Sequence, residues 1–358
     1  MKAADAAPAT VLTSAVGLGV YIPALLNQRR LRALGQAADA EVLEEHYTPD
    51  KLRAHLASRQ AHRDNFALAQ MANRMARDVA SCLDETRVAA LLERWAGERR
   101  TRFIVWSGFW LPVIERYRAM APSGALQVDH CRIDAELSAS FRIFPSLRAS
   151  GREVWLWHGA SGRIEHEIPI SGQAPLPWDA REDRLLAHGG GWGIGTYREW
   201  LDALAATPFE IDTVVHEAAE ATERNSGGRC FMMDPQWQPW RRDGAGELGF
   251  PPMGLVEDGV LRHVETLDDH HALHQVIRSA RAIVSKPGGC TLIDSLAAAT
   301  PVVLLEPYGP AEQANADIWQ ALGYGISMAD WRASGFSAAI LERLHRNILA
   351  RRATPAYP

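Results

Sequence analysis

Short apolar runs alternate with longer amphipathic stretches along nearly the whole chain, and most apolar runs end in small or polar residues. Residues 9–16 read as a buried strand, followed by Gly17-Leu18-Gly19 and a helix from about Pro23 to Leu34 closed by Gly35. Residues 40–44 are a second strand candidate. The stretch 49–96 is rich in Ala, Leu, Arg and Glu at helical spacing, which predicts helices with His55 and His62 on their solvated face. Phe103 to Trp106 is a compact strand ahead of a helix from Trp110 to Ala119, and Ala125 to Val128 is another strand with Asp129 and His130 directly after it. Strand, tight turn and helix in succession are the pattern of a doubly wound sheet.

From 171 to 179 the chain reads SGQAPLPWD, with no period of either kind, which is the signal of a linker between domains. Beyond it, Arg184 to Ala187 starts a strand, and His188-Gly-Gly-Gly-Trp-Gly-Ile-Gly-Thr196 leads into a helix through Leu204, repeating the opening of the chain. Thr213 to His216 fits either a strand or a helix, and Cys230 to Met233 reads as a strand. The pattern predicts an α/β protein with two doubly wound, Rossmann-like domains facing a cleft, over 1–172 and 180–330, and a terminal segment 331–358 with a basic amphipathic helix from Ala338 to Arg352.

The richest chemistry lies in 281–316, RAIVSKPGGCTLIDSLAAATPVVLLEPYGPAEQANA. A short strand runs into a turn with Ser285, Pro287, Gly288 and Gly289. A helix starts near Cys290 and Thr291 with its unpaired N–H groups aimed at that turn, a ready anion site. Asp294 lies in the first turns of the helix, close enough to reach past a phosphate to a sugar hydroxyl. Glu312, Gln313 and Asn315 follow the next strand, so both clusters fall outside the carboxyl ends of neighbouring strands, where such sheets bind ligands. In the glycine-dense turn, Gly190, Gly191 and Gly193 can offer N–H groups to a diphosphate, although turn geometry alone also explains them. The same two readings hold for Gly17 and Gly19.

The pattern Ser-Lys-Pro-Gly-Gly-x-Thr-x-x-Asp, then Pro-Val-Val, then Glu-Gln-x-Asn-Ala, resembles the nucleotide-sugar signature of B-fold glycosyltransferases. The resemblance extends to the N-acetylglucosaminyltransferase of peptidoglycan synthesis, the galactosyl-diacylglycerol synthases and the transferases that decorate natural products. It implies an inverting, metal-independent transferase that moves a sugar from a nucleoside diphosphate sugar, a UDP-sugar first of all, to a small-molecule acceptor. No cofactor would be bound permanently. It also implies that Val264 to Thr266 face the nucleobase, that Glu312 and Gln313 hold the sugar, and that the terminal helix packs back on the first domain. The family's usual histidine in the first glycine turn, three residues before a proline, is Val20 here. The comparable loop after the fourth strand of the peptidoglycan transferase carries His-Glu-Gln-Asn, so Asp129 and His130 become the candidate catalytic base; a capping Asp129 beside a structural His130 is the other reading. Asp134 and His158 are lesser candidates.

Composition narrows this further. A length of 358 residues with 47% hydrophobic content supports two cores, and a net charge of -5 argues against a nucleic-acid partner. Cys82, Cys131, Cys230 and Cys290 are scattered without Cys-x-x-Cys spacing, as in a cytoplasmic protein with reduced thiols. The apolar run from Val11 to Leu26 contains Ser14, two glycines and Pro23, and Asp5 stands where a basic flank would be, so neither a signal peptide nor a membrane span is expected. Arg29, Arg30 and Arg32 after that run fit a peripheral membrane contact or a charged helix face. His271 and His274 have no third ligand at fitting spacing, and Asp268 reads as a helix cap, so no metal site is expected. The tryptophan-rich first half, with Trp106, Phe109, Trp110, Trp155 and Trp157, fits either core packing or an acceptor platform. Two alternatives to a transferase stay open, a nucleotide-sugar epimerase or hydrolase of the same fold and a non-catalytic nucleotide-sugar-binding partner protein.

Overall fold

The computed structural model describes residues 8–121, 126–222 and 228–357; Asp5 and Ala125, used above, fall outside them. The first sheet holds β1 (Ala9–Thr13), β2 (Ala38–Val42), β3 (Arg102–Val105), β4 (Gln127–Arg132) and β5 (Arg152–Trp155) in the order β2-β1-β3-β4-β5, all parallel. A small antiparallel hairpin follows, β6 (Trp157–His158) with β7 (Arg163–Ile164).

The second sheet holds β8 (Arg184–Ala187), β9 (Glu210–Val215), β10 (Cys230–Met233), β11 (Met253–Glu257), β12 (Val260–Glu265), β13 (Ala282–Ser285), β14 (Val302–Leu304) and β15 (Gly325–Ser327). Its order is β12-β11-β10-β9-β8-β13-β14-β15, parallel except where β11 pairs with β10 and β12. The two doubly wound domains expected from the sequence are therefore present. In each sheet the strand order reverses beside the first strand, between β1 and β3 and between β8 and β13. The loops after those strands border the crevice in which such sheets bind ligands.

The first helix spans Leu18–Ala33 and starts five residues ahead of Pro23, which lies inside it. Gly17, in extended conformation, caps it, and Val20 and Tyr21 donate to the Gly17 carbonyl. This helix is buried between the two domains. Tyr21 Oη donates to the Gly249 carbonyl (2.8 Å), Arg29 to the Leu248 carbonyl (2.9 Å) and Arg32 to Glu247 (2.8 Å). The basic face considered above for membrane contact is thus engaged at Arg29 and Arg32 by the second domain. Among the described residues no helix is long and apolar enough to cross a membrane.

The chain's end also differs from expectation. The helix Ala338–Leu349 packs on the second domain, with Leu341 in the same cluster as Leu185 and Val303 and with His345 Nδ1 2.7 Å from the Ala299 carbonyl oxygen. Trp331 is buried in that cluster as well. The tail returns to the first domain: Thr354 and Arg351 bond Glu167, and the Tyr357 hydroxyl donates to Asp129 (2.6 Å). The helix stays behind because its apolar stripe matches the second core, while the tail carries the polar groups that the first domain satisfies.

Candidate functional site

A cavity of ≈ 450 Å³ lies between the domains, where the turns after β1, β8 and β13 meet. On the first domain its wall begins with Gly17, Leu18, Gly19 and Val20. The preceding loop is fixed by the buried Glu44 carboxylate, which accepts from Ser14 Oγ (2.7 Å) and the Ala15 amide (2.7 Å). On the second domain the glycine turn folds tightly: Gly193 N–H donates to the Gly190 carbonyl (3.0 Å), and Trp192 Nε1–H reaches across to the Ala15 carbonyl (3.1 Å). A side chain at Gly191 would collide with Leu18 of the facing domain, and Gly193 combines a φ of +71° with the His216 ring against it. These two glycines let the turn close against its neighbours. Gly190 and Gly191 border the cavity; Gly193 does not.

The second turn runs from Lys286 to Gly289 and opens the helix Gly289–Ala298, whose N-cap Gly288 offers no side-chain bond. Its first N–H groups therefore remain available at the cavity, beside Cys290 and Thr291. Lys286 Nζ lies 2.5 Å from Glu312 Oε1, and the Tyr308 amide donates to the other Glu312 oxygen (2.8 Å). Asp294 is buried at the cavity edge, with His274 Nδ1 2.9 Å and His271 Nε2 3.1 Å from its Oδ1. Burial alone would raise its pKa, but the two imidazoles hold the carboxylate well below the usual range. The third group beside the two histidines is thus supplied from a distant position in the sequence, and both imidazoles face the same Asp294 oxygen.

Several expectations need correction. Gln313 faces solvent, where its amide donates to Asp317 (2.9 Å), and Ser285 is buried at the end of β13 away from the cavity. The segment Val264–Thr266 does not border the cavity, since β12 is the exposed edge strand of its sheet. His55 and His62 are half-buried rather than fully solvated, and with Ser58 and Arg59 they turn that side of the helix Pro49–Asp64 towards the cavity. Trp106, Trp110 and Trp157 are core residues, whereas Phe109 borders the cavity.

The largest correction concerns the base. Asp129 and His130 lie inside β4 rather than after it, and neither reaches the cavity. Alternation along the strand sends them to opposite faces. Asp129 is bound by both nitrogens of the Arg152 fork (2.8 and 2.7 Å) and by Tyr357, while His130 is fully buried against Gly151 and Phe141. Burial lowers the His130 pKa to about 4.

The residue that follows β4 into the crevice is Asp134. It borders the cavity, accepts from Asn315 Nδ2 (2.8 Å), and is pushed up to about 6 by burial and by the neighbouring Glu312 carboxylate. A carboxylate with that pKa is ionised at neutral pH yet basic enough to take a proton.

Other polar groups at the cavity await a partner. Arg59 lies over the Trp192 ring, 3.5 Å from its centroid, and its Nη1 is buried without a hydrogen-bond acceptor. His188 Nδ1 accepts from the Gly190 amide (3.0 Å), so the proton of the neutral ring sits on Nε2, which is likewise buried and unpaired. Burial lowers the His188 pKa to about 4 and keeps the ring neutral. Buried donors without acceptors are costly, and a ligand rich in acceptor oxygens would satisfy them. Neither residue was singled out in the sequence as a donor: Arg59 sits on a helix that reads as solvated, and His188 carries no signal beyond preceding the glycine run.

No protein-family model and no curated protein matches the sequence. Solved structures do match over nearly the full length. MurG of Acinetobacter baumannii is similar with a TM-score of 0.51 and 12% identity, covering 98% of this chain and 96% of that one. The Streptomyces sp. SF2575 glycosyltransferase SsfS6, crystallised with thymidine diphosphate, is similar with a TM-score of 0.51 and 13% identity, covering 98% and 97%. At such identities the likeness speaks for the fold, and the chain has the two-domain fold of the B-type glycosyltransferases.

Proposed function

We propose that the protein is a glycosyltransferase that moves a sugar from a nucleoside diphosphate sugar to a hydroxyl or amine of a small-molecule acceptor, with inversion at the anomeric carbon. The observation that carries this reading is the set of unpaired donors, Arg59 and His188, gathered with a free helix N-terminus around one interdomain cavity. They suit a diphosphate better than a neutral ligand. In this reading the second domain holds the donor. The turn at Gly190 and Gly191 and the N–H groups near Gly289 and Cys290 face the diphosphate, Asp294 accepts from the ribose hydroxyls, and Glu312, kept in place by Lys286 and Tyr308, accepts from the sugar.

The acceptor enters from the first domain, beside Val20 and Phe109. Its O–H or N–H proton passes to Asp134 as its lone pair forms the bond to the anomeric carbon. The bond from that carbon to the diphosphate oxygen breaks, and the electron pair leaves with the diphosphate. The helix N-terminus, His188 Nε2–H and the Arg59 cation stabilise the negative charge that develops there. Because this positive potential comes from the protein itself, the reading requires no metal ion.

UDP-sugars are the first donors to test, and TDP-sugars the second, given the nucleotide in the SsfS6 complex. Incubation with each donor, with and without a panel of phenolic, alcoholic and amine acceptors, is expected to yield glycosylated acceptor by mass spectrometry and little donor loss when acceptor is left out. Donor turnover that is equally fast without acceptor would replace the transferase by a hydrolase or epimerase.

A further inference from the structure

One amide of the second domain is bonded into the loop after β4. Asn315 lies on the helix Pro310–Ala321 of the second domain and is fully buried. Its Nδ2 donates to Asp134 Oδ1 (2.8 Å) and to the Pro287 carbonyl (2.8 Å). Its Oδ1 accepts from the Ala135 amide (2.7 Å) and from Trp157 Nε1–H (2.9 Å). Both protons and both lone pairs of the amide are therefore committed. Three of the four partners belong to the first domain, and the fourth, Pro287, belongs to the turn that opens the helix Gly289–Ala298.

Ile133, in the same loop after β4, also stands close against Gly289 of that turn. We infer that Asn315 is a positioning residue that sets Asp134 against the donor turn, so that the base stands at a fixed place relative to the anomeric carbon only when the domains are closed. This rests on the reading of Asp134 as the base.

The chemistry makes asparagine specific at this position. Aspartate has nearly the same shape and keeps both acceptor bonds, to Ala135 and Trp157, but it has no proton for Asp134 or Pro287. Threonine or alanine would lose bonds on both sides. The charged groups that face Asp134 are Glu312, which raises its pKa, and Lys286, which lowers it, and the Asn315 N–H also lowers it. Removing that N–H, and more so placing a second carboxylate there, moves the Asp134 titration upward.

The test compares kcat against pH for the wild type, Asn315→Asp and Asn315→Ala, together with calorimetric donor affinity and thermal unfolding. The expected result for Asn315→Asp is an acid limb displaced upward by about one pH unit or more and a lower plateau rate, with nucleotide affinity changed much less than kcat. Asn315→Ala should displace the limb in the same direction by a smaller amount. A limb that stays in place in both variants while the protein merely unfolds at lower temperature would reduce Asn315 to a structural bridge and overturn the inference. The underlying reading fails separately: if Asp134→Asn keeps wild-type turnover, Asp134 is not the base at all. Loss of turnover in Asp134→Asn with an unmoved limb in Asn315→Asp sinks only the positioning role.

Discussion

Asp134→Asn is expected to lower kcat by about 10²- to 10⁴-fold, the usual contribution of a general base, with donor affinity close to wild type. The substitution keeps an oxygen for the Asn315 N–H, so the loop after β4 should hold its place while losing the group that takes the proton. The pH dependence adds a sign that can be checked. The base must be ionised to act, and burial beside Glu312 raises its pKa to about 6. The wild-type rate should therefore rise with pH through about 6 and level off above it, whereas a solvent-exposed aspartate would place that limb near ~4. A rate profile flat down to pH 5, or an asparagine variant with unchanged kcat, would remove Asp134 from the mechanism.

The second large effect is expected from Gly289→Ala. An added Cβ would stand 2.5 Å from Ile133 Cγ1 and 2.7 Å from the Ile133 carbonyl oxygen, so relief requires the backbone of the opposite wall to move. Gly289 begins the helix whose N–H groups face the diphosphate, and Ile133 immediately precedes Asp134. Overpacking of this kind costs about 1–3 kcal/mol, which corresponds to roughly 5- to 150-fold in the closed arrangement that both substrates need. Nucleotide affinity and kcat should fall together. Gly97→Ala is the control, since a methyl there meets nothing within 4 Å and Gly97 does not border the cavity. If the two variants behave alike, the approach of the walls at Gly289 is not a requirement of activity.

How far the sequence could be read depends on whether the information was local. The turn from Lys286 to Gly289 and the helix after it were legible, because strand, glycine turn and helix lie in one contiguous stretch and the carboxyl ends of parallel strands face the crevice. The base was not. A fourth strand that ends at Val128 places Asp129 and His130 in the crevice. In the fold the strand continues to Arg132, and the first carboxylate beyond it is Asp134. Strand ends have no cap chemistry as sharp as a helix N-cap, so an error of a few residues there exchanges one aspartate for another.

Long-range partners were hidden in the same way. His55 and Arg59 lie on a polar helix face that has the pattern of a solvated surface, and only the second domain's approach converts that face into a cavity wall. Asn315 stands within a motif, but its four partners lie at 134, 135, 157 and 287, and no local pattern reveals them. The apolar stripe of the terminal helix says that it packs without saying against which core, and in the fold Leu341 joins the core of the second domain.

Sugar transfer by this protein requires a diphosphate in the cavity between the domains. Calorimetric titration of the wild type and of Arg59→Ala with UDP and with TDP tests this most directly. One nucleoside diphosphate is expected to bind at one per chain, with affinity at least tenfold weaker in Arg59→Ala, in keeping with the loss of a charged contact worth about 1.4 kcal/mol or more. Absence of binding by both nucleotides to the wild type, or binding that Arg59→Ala leaves unchanged, would contradict the placement of the diphosphate and the transfer chemistry built on it.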